Sequence, residues 1–293
     1  MSTTEDGRQR GNGRMPGPAT GLVVGAVVVL VYLIYGDALR TLWLTWQTNA
    51  NYSHGMLIPP IAAFLFWVER ERFRERATSG TPWAIPFVVA ALAVHVLSIR
   101  AGVFMTQGYS LVLLVAAVIA LLFGGRALRA VWFSVAYLVF MLPMPPLLMS
   151  AVSFRLKIFA ARAGSALAIK LGIPLARVGM TIHMPAGSLR IADPCSGLRS
   201  LIALLALGAL FGYFSRGPVW KRVALFASAL PIAVAANIVR IMLLCVVANV
   251  WGIETALGFF HDVSGVIIFV IALIGLFIVR RLLGIRGSSE EGE

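Results

Sequence analysis

Charged side chains are scarce in this sequence. They make up 13% of the 293 residues, about half of their usual share in soluble proteins. Acidic residues are the rarer sign, with 12 Asp and Glu against 25 Lys and Arg, so the formal net charge is +13. Hydrophobic residues make up 59% of the chain, and the mean hydropathy is +0.89. This balance excludes an ordinary soluble domain and indicates a protein with several membrane-spanning segments.

Cysteine is also rare, with 2 in the chain. Cys245 lies inside an apolar stretch and Cys195 at the start of another, so we predict neither a structural disulfide nor a cysteine-based metal site. The sequence shows no internal repeat. No small-residue cleavage site follows the first apolar stretch, Thr20–Gly36. We therefore expect that stretch to remain as a membrane helix and not to act as a signal peptide.

Long apolar stretches recur along the chain and predict an all-α polytopic membrane protein of about eight transmembrane helices. The expected spans are Thr20–Gly36, Ser53–Val68, Pro82–Ser98, Gly108–Phe123, Ala130–Met144, Ser196–Phe214, Arg222–Asn249 and Val263–Val279. Together they form one transmembrane domain at 19–282. A polar tail at 1–18, which we expect to be disordered, precedes it, and a second polar tail at 283–293 follows it.

The first connection, Asp37–Tyr52, is predicted as a loop. It carries Trp43 and Trp46, residues that suit a membrane interface.

The longest connection is Pro145–Pro194. Its first part, Met149–Leu171, is predicted as an external amphipathic helix at the interface because basic residues stand there among apolar ones. These residues are Arg155, Lys157, Arg162 and Lys170. Its second part, Arg177–Ala192, is predicted as a short β-hairpin that turns at Pro185-Ala186-Gly187.

The basic residues indicate the orientation, because eight spans place both termini on one side. The segments on that side carry Arg8, Arg10, Arg14, Arg70, Arg72, Arg74, Arg76, Arg126, Arg129, Arg216, Lys221, Arg222, Arg280, Arg281 and Arg286. The opposite short loops carry only Arg40 and Arg100. The positive-inside rule therefore predicts cytoplasmic termini. The net charge reflects this topology, so we expect membrane lipids around the chain and no nucleic-acid partner.

The stretch DPCSGLRSL (Asp193–Leu201) joins the long connection to the sixth span. We expect Cys195 in the first turn of that helix, where unpaired N–H groups and the helix dipole favour a thiolate. Arg199 follows four residues later and is expected on the same face, about 6 Å along the axis. A cation there can hold a thiolate or an oxyanion. The alternatives are a buried, apolar Cys195 and an Arg199 that only anchors the helix at the interface. Asp193 is expected to cap the helix.

Arg240 lies inside the seventh span, roughly 13 Å below its outer end. An arginine at that depth costs several kcal/mol unless it is paired or faces a wet cavity. Asn237 lies one turn away on the same face, and His261 and Asp262 precede the eighth span on the same external side. A thiol, an imidazole and a guanidinium are the parts of a cysteine acyl-transfer site. The alternatives are an Arg240 paired with Asp262 or Glu254 for structure, and an interfacial His261.

The remaining histidines have simpler explanations. His95 lies in the middle of the third span and is expected to be a satisfied core residue, and His183 alternates within the hairpin and is expected to be structural. Ser53-His54-Gly55, at the outer end of the second span, is a turn that packing alone does not explain. A metal site built from His54, His183 and His261 is an alternative, but no HExxH or similar spacing supports it.

Four motifs in order make the sequence resemble the exosortase/archaeosortase family of membrane cysteine transpeptidases. They are SHGMLIP (Ser53–Pro59), PCSGLRSL (Pro194–Leu201), NIVRI (Asn237–Ile241) and HDVSG (His261–Gly265). The resemblance covers the chain from about Gly21 to Val279. Archaeal members tend to carry Arg where this chain has His261, so the bacterial exosortases are the nearer match. Family members commonly have Ala where this chain has Pro194.

The resemblance implies a catalytic set of Cys195, Arg240 and His261. The supporting residues are expected to be Arg199, Asn237, Asp262, Ser53 and His54. No cofactor and no metal is expected. The implied reaction is cleavage of the C-terminal sorting signal of secreted proteins, which consists of a short Pro-Glu-Pro-like motif, a transmembrane helix and a basic cytoplasmic cluster. A thioester on Cys195 is then resolved by water, by an amine, or by a hydroxyl of a cell-surface glycan or lipid. The implied location is the bacterial inner membrane, with the site on its external face.

Two other classes of function remain open at this point. One is a multi-pass transporter or export component, for example in exopolysaccharide secretion, whose buried arginines bind an anionic polysaccharide or lipid-linked substrate. The other is a non-catalytic membrane scaffold. In the transporter, Cys195 is incidental.

Overall fold

Helices make up most of the fold in the computed structural model, which describes residues 18–191 and 197–287. The α-helices of this part are α1 (Pro18–Thr48), α2 (Ile58–Val68), α3 (Arg70–Arg76), α4 (Ile85–Arg100), α5 (Phe104–Phe123), α6 (Gly125–Tyr137), α7 (Pro146–Lys170), α8 (Leu198–Phe214), α9 (Val219–Trp251), α10 (Ile253–Leu257) and α11 (Phe259–Leu282). Short 3₁₀ helices cover Ala50–Leu57, Pro82–Ala84 and Leu138–Met141.

The strands form two small antiparallel sheets. In the first, β1 (Ala176–Val178), β2 (Thr181–Met184) and β3 (Gly187–Arg190) lie in the order β1-β2-β3. The predicted hairpin is confirmed as β2 and β3, while β1 was not predicted. In the second, β4 (Ser215–Arg216) pairs with β5 (Arg286–Gly287).

The all-α polytopic membrane architecture is confirmed. Helices long and apolar enough to cross a membrane occupy Thr20–Thr48, Pro82–Arg100, Phe104–Phe123, Val219–Trp251 and Val263–Leu282. Gly125–Met141 and Pro146–Lys170 meet at a bend of 76° and together make a sixth candidate span. The apolar helix α8 is shorter, with 17 residues. The number of eight spans therefore stays a prediction.

The predicted loop at Asp37–Tyr52 is wrong over most of its length, because α1 continues to Thr48. Ala38, Leu42 and Trp46 follow one another at four-residue spacing and are all buried, so this part of the helix has its own packed face. The Trp46 indole also donates a hydrogen bond to the carbonyl oxygen of Met141 at 2.9 Å. Tertiary packing thus extends the helix beyond the apolar run that the sequence displays.

The described residues divide into two compact units, the first comprising 18–48 and Gly55–Pro143, the second Asn49–His54, 144–191 and 197–287. In the first unit, the Tyr35 hydroxyl lies 3.1 Å from the Ser110 hydroxyl, and the Tyr35 ring packs against His95 with 3.9 Å between the ring centroids and a tilt of 33°. His95 is buried, and its Nε2 donates to the carbonyl oxygen of Ile34 at 3.1 Å. His95 is therefore a core residue, as expected.

Helix α9 is the centre of the second unit, where α7, α8, α10 and α11 pack against it. Small residues line the buried face of α7, and they are Ala160, Ala161, Gly164 and Ala168. A Cβ at Gly164 would lie 2.8 Å from Cγ2 of Ile241, so glycine allows α7 to approach α9 closely. Arg155, Arg162 and Lys170 are exposed on α7. Phe154, Phe159 and Ile169 are exposed on it as well, so charged and apolar residues do not divide into two faces. The predicted helix itself is confirmed, and its amphipathic character and its position at the interface stay predictions.

The three-stranded sheet belongs to the same unit. Its buried residues Ile182, Met184 and Leu189 join one apolar cluster with Ile241 and Leu244 of α9. Positions along β2 and β3 alternate between buried and exposed, and the buried side chains pack the sheet against α9. The chain then runs from β3 towards the segment that contains Cys195.

Candidate functional site

Helix α8 begins where the chain makes a left-handed turn at Gly197, with φ 71° and ψ 0°. The Gly197 carbonyl oxygen accepts hydrogen bonds from the backbone N–H of Leu201 and the hydroxyl of Ser200, both at 2.9 Å. A Cβ at this position would lie 2.8 Å from Cγ of Asn237. Glycine is therefore required twice, for the backbone angle and for contact with α9. The start of α8 is thereby fixed against the side chain of Asn237, which is buried.

The helix starts later than the sequence predicts, at Leu198 instead of Ser196. The positive φ of Gly197 lies outside helical geometry. The expectation that Cys195 and Arg199 share one helix face stays a prediction. Cys195 and Asp193, the predicted cap, lie outside the described residues. The physical reason for the shift is the contact of Gly197 with Asn237, which no local pattern reveals.

Arg199 is exposed and contacts the segment Asn49–His54. Its Nη2 donates to the hydroxyl of Ser53 at 3.0 Å, across 146 residues of sequence. The neighbouring Tyr52 is buried, and its hydroxyl donates to Sδ of Met149 on α7 at 2.8 Å. The Ser-His turn is therefore part of the second unit, and Arg199 holds it beside the start of α8.

Gly55, the last residue of that turn, has a packing role in the first unit. Its backbone lies against the indole of Trp46, and a Cβ would collide with the ring. Packing thus explains the glycine of this motif, while the contact with Arg199 explains the serine.

Arg240 of α9 is half-buried and reaches α11. Its Nε donates to the hydroxyl of Ser264 at 3.2 Å, and Ser264 is itself 1% exposed. A Cβ at Gly265 would lie 3.4 Å from Nη2 of Arg240, so the absent side chain leaves room for the guanidinium. Ser264 and Gly265 together form the contact site on α11 for the guanidinium of Arg240. Sequence reasoning missed this contact site, although both residues lie in HDVSG.

His261 and Asp262 lie in the first turn of α11, and their side chains are outside the described part of the structure. Position 261 precedes Ser264 by three residues, so the two positions share one face of the helix. The first turn of α11 therefore continues the face that receives Arg240.

The structure brings most of the predicted supporting residues into one unit. Asn237 contacts Gly197, and Arg240, one turn further along α9, contacts Ser264. The starts of α8 and α11 thus meet adjacent turns of one helix. His54 lies in the turn next to Ser53.

Two residues discussed in the sequence analysis, His183 and Cys245, lie apart from this group. His183 is on the exposed face of the sheet, where its Nδ1 lies 2.8 Å from the hydroxyl of Ser188. Among the side chains that the structure describes, which do not include that of His261, no cluster of His, Cys, Asp and Glu has the composition of a metal site. Cys245 is fully buried in the apolar cluster between α9 and the sheet.

A small pocket lies beneath Gly197. Leu156 and Ala160 of α7, Leu201 of α8, and Ala233 and Asn237 of α9 are among its lining residues. It has room for about one water molecule and so cannot hold a peptide.

Comparison with known proteins gives one match. The sequence model of transmembrane exosortases matches residues 46–278. The matched range includes the Ser-His turn, the DPCSGLRSL stretch, Arg240 and the HDVSG motif. No curated protein and no solved structure matches the chain.

Proposed function

Because the chain belongs to the transmembrane exosortase family, we propose that it is a membrane cysteine peptidase and transpeptidase that uses Cys195 as its nucleophile. The observation that carries the proposal is the position of Arg240. A guanidinium inside a membrane helix is costly, yet here a buried serine and a glycine on α11 are arranged to receive it. Such a fixed cation suits the stabilisation of a developing oxyanion.

The reaction proceeds in two acyl-transfer steps. The Cys195 thiolate adds to the scissile carbonyl carbon, and Arg240 stabilises the negative charge that forms on the carbonyl oxygen. The C–N bond then breaks, and His261 gives a proton to the leaving amine. A thioester remains on Cys195. A nucleophile, activated by loss of its proton to His261, attacks the thioester and releases the thiolate.

The substrates are secreted proteins with a C-terminal sorting signal: a Pro-Glu-Pro-like motif, a transmembrane helix and a basic tail. The signal presents its cleavage site just outside the inner membrane, where the charge distribution is expected to put Cys195. The acceptor is water, an amine, or a hydroxyl of a surface glycan or lipid.

The two cysteines provide a direct test. An epitope-tagged protein with such a signal is expressed with this enzyme, and precursor and product are separated on a blot. Cys195→Ser is expected to abolish processing, because a serine hydroxyl is far less nucleophilic than a thiolate in a site built for sulfur. Cys245→Ala is the matched control and retains processing. Full processing by a well-expressed Cys195→Ser variant would instead show that Cys195 is not the nucleophile.

A further inference from the structure

Basic residues gather where the second unit joins α8 to α9. The strands β4 and β5 tie this loop to the chain that follows α11. The pairing brings together the ends of three helices and their basic positions, which are Arg216, Lys221, Arg222, Arg280, Arg281 and Arg286. The Nζ of Lys221 also lies 3.7 Å from the Cβ position of Gly284, in the turn after α11. The positive-inside rule accounts for basic residues here, but not for the direction in which they point.

Arg222 and Arg280 point inward. Arg222 precedes the fully buried Leu225 by one turn of α9, and Arg280 follows the fully buried Leu276 by one turn of α11. Leu225 and Leu276 belong to the same apolar cluster, so the two arginines stand at the same end of one core. The Nε atoms of both guanidiniums are buried and have no hydrogen-bond partner among the described residues.

These two cations lack a nearby carboxylate in the part of the unit that the structure describes. The only acidic residue there with a described side chain is Glu254 of α10, which follows the far end of α9. A helix from Arg222 to Trp251 is about 43 Å long. Two guanidiniums with buried, unsatisfied donors at one end of a core are unfavourable unless an anion joins them.

The surrounding surface has the composition of a membrane interface. Trp220 is 62% exposed, and Lys221 lies over its ring, with 5.6 Å between Nζ and the ring centroid. Trp is typical of the headgroup level. Val219, Val223 and Leu282 are also exposed beside the basic residues. An anion at this place thus has apolar surface next to it.

We propose that Arg222 and Arg280, with Lys221 beside them, bind the phosphate of an anionic phospholipid headgroup. The planar guanidinium donates two parallel hydrogen bonds to phosphate oxygens, which satisfies the buried Nε donors. The acyl chains lie along the exposed apolar residues of α9 and α11. Basic pockets between membrane helices bind acidic lipids in this way. A lipid is favoured over free phosphate because only a lipid also covers the apolar surface.

Native mass spectrometry of the full-length protein tests the site. Protein purified in mild detergent is titrated with phosphatidylglycerol or phosphatidylcholine. The wild type is expected to retain phosphatidylglycerol, and Arg222→Gln and Arg280→Gln are each expected to weaken its retention about fivefold. The matched control is Arg129→Gln, an exposed arginine predicted on the same side of the membrane, which retains the lipid like the wild type.

Three results would overturn the proposal. The first is equal retention of both lipids by the wild type, or of phosphatidylglycerol by the wild type and both variants. The second is binding of inorganic phosphate, measured by calorimetry, as tightly as phosphatidylglycerol, which would indicate a soluble anion. The third is lipid retention only after Glu290, Glu291 and Glu293 are replaced by Gln, which would show that the C-terminal tail occupies the site.

Discussion

The arginines at the two ends of the second unit differ in the hydrogen-bond partners of their Nε atoms. Arg240, near the starts of α8 and α11, donates to Ser264, and Gly265 makes room for its guanidinium. Arg222 and Arg280, at the other end of α9 and α11, have buried Nε atoms without a partner in the described chain. An oxyanion donor must be held in place before charge develops. A ligand site can leave its donors for the ligand to satisfy. This difference is what the two proposals require, a transient negative charge at the Arg240 end and a permanent one at the Arg222 and Arg280 end.

The largest expected effect comes from changing the geometry of Arg240 and keeping its charge. Arg240→Lys is expected to insert and accumulate normally but to cleave substrate on the order of a hundred- to a thousandfold more slowly. The reason is that an ammonium group cannot donate the parallel hydrogen bonds of the planar guanidinium. Precursor and product are measured on a blot together with enzyme abundance. A well-expressed Lys variant that works at near wild-type rate would remove Arg240 from the catalytic set and leave it a structural role.

A smaller effect is expected at the start of α8. Gly197→Ala introduces strain of about 1–2 kcal/mol from the left-handed backbone, equivalent to a factor of about 5–30, and also displaces Asn237. Gly172→Ala is the control, because Gly172 has φ 83° and open space around its Cβ position. Both variants lose stability to the strain, which thermal unfolding in detergent measures. Only Gly197→Ala is expected to slow processing, and equal processing by the two would contradict a role for the contact with Asn237.

The smallest effect is expected at Ser264, a positioning residue. Ser264→Ala removes one hydrogen bond from Arg240 and is expected to cost about 1 kcal/mol, or roughly fivefold in kcat with KM unchanged. Ser264→Thr keeps the hydroxyl and should restore much of the rate, provided that its methyl group fits. Ser228→Ala serves as the control, because the Ser228 hydroxyl donates to the carbonyl oxygen of Leu225 within α9. A change in KM alone would indicate that Ser264 acts on substrate binding and not through Arg240.

The sequence predicts much of this structure where local pattern decides it. The apolar runs predict α4, α5, α9 and α11, and the alternation along Arg177–Ala192 predicts β2 and β3. The motifs also predict that Asn237, Arg240, Arg199 and Ser53 belong to one site, and the structure gathers them in one unit. The helices and strands follow from hydropathy and periodicity, which are properties of short segments, whereas the grouping of the site residues follows from the resemblance that the motifs carry.

The parts that sequence reasoning missed depend on distant contacts. The left-handed Gly197 fits because Asn237 lies against it, and the buried face at the end of α1 exists because Met141 accepts from Trp46. Likewise, β4 and β5 are two-residue strands separated by about 70 residues of sequence. The inward direction of Arg222 and Arg280 could not be predicted either, because the positive-inside rule concerns the side of the membrane and not the face of a helix.

The most direct test of the proposed site is to trap its covalent intermediate. Purified enzyme is mixed with a peptide that carries the sorting motif and is quenched in acid, and Cys195 is then examined by mass spectrometry. The account predicts an acyl adduct on Cys195 that neutral hydroxylamine removes, as expected for a thioester, and none on Cys245. The adduct should form more slowly in Arg240→Lys. Cleaved peptide without any adduct on Cys195, or with an adduct on another residue, would contradict the central claim.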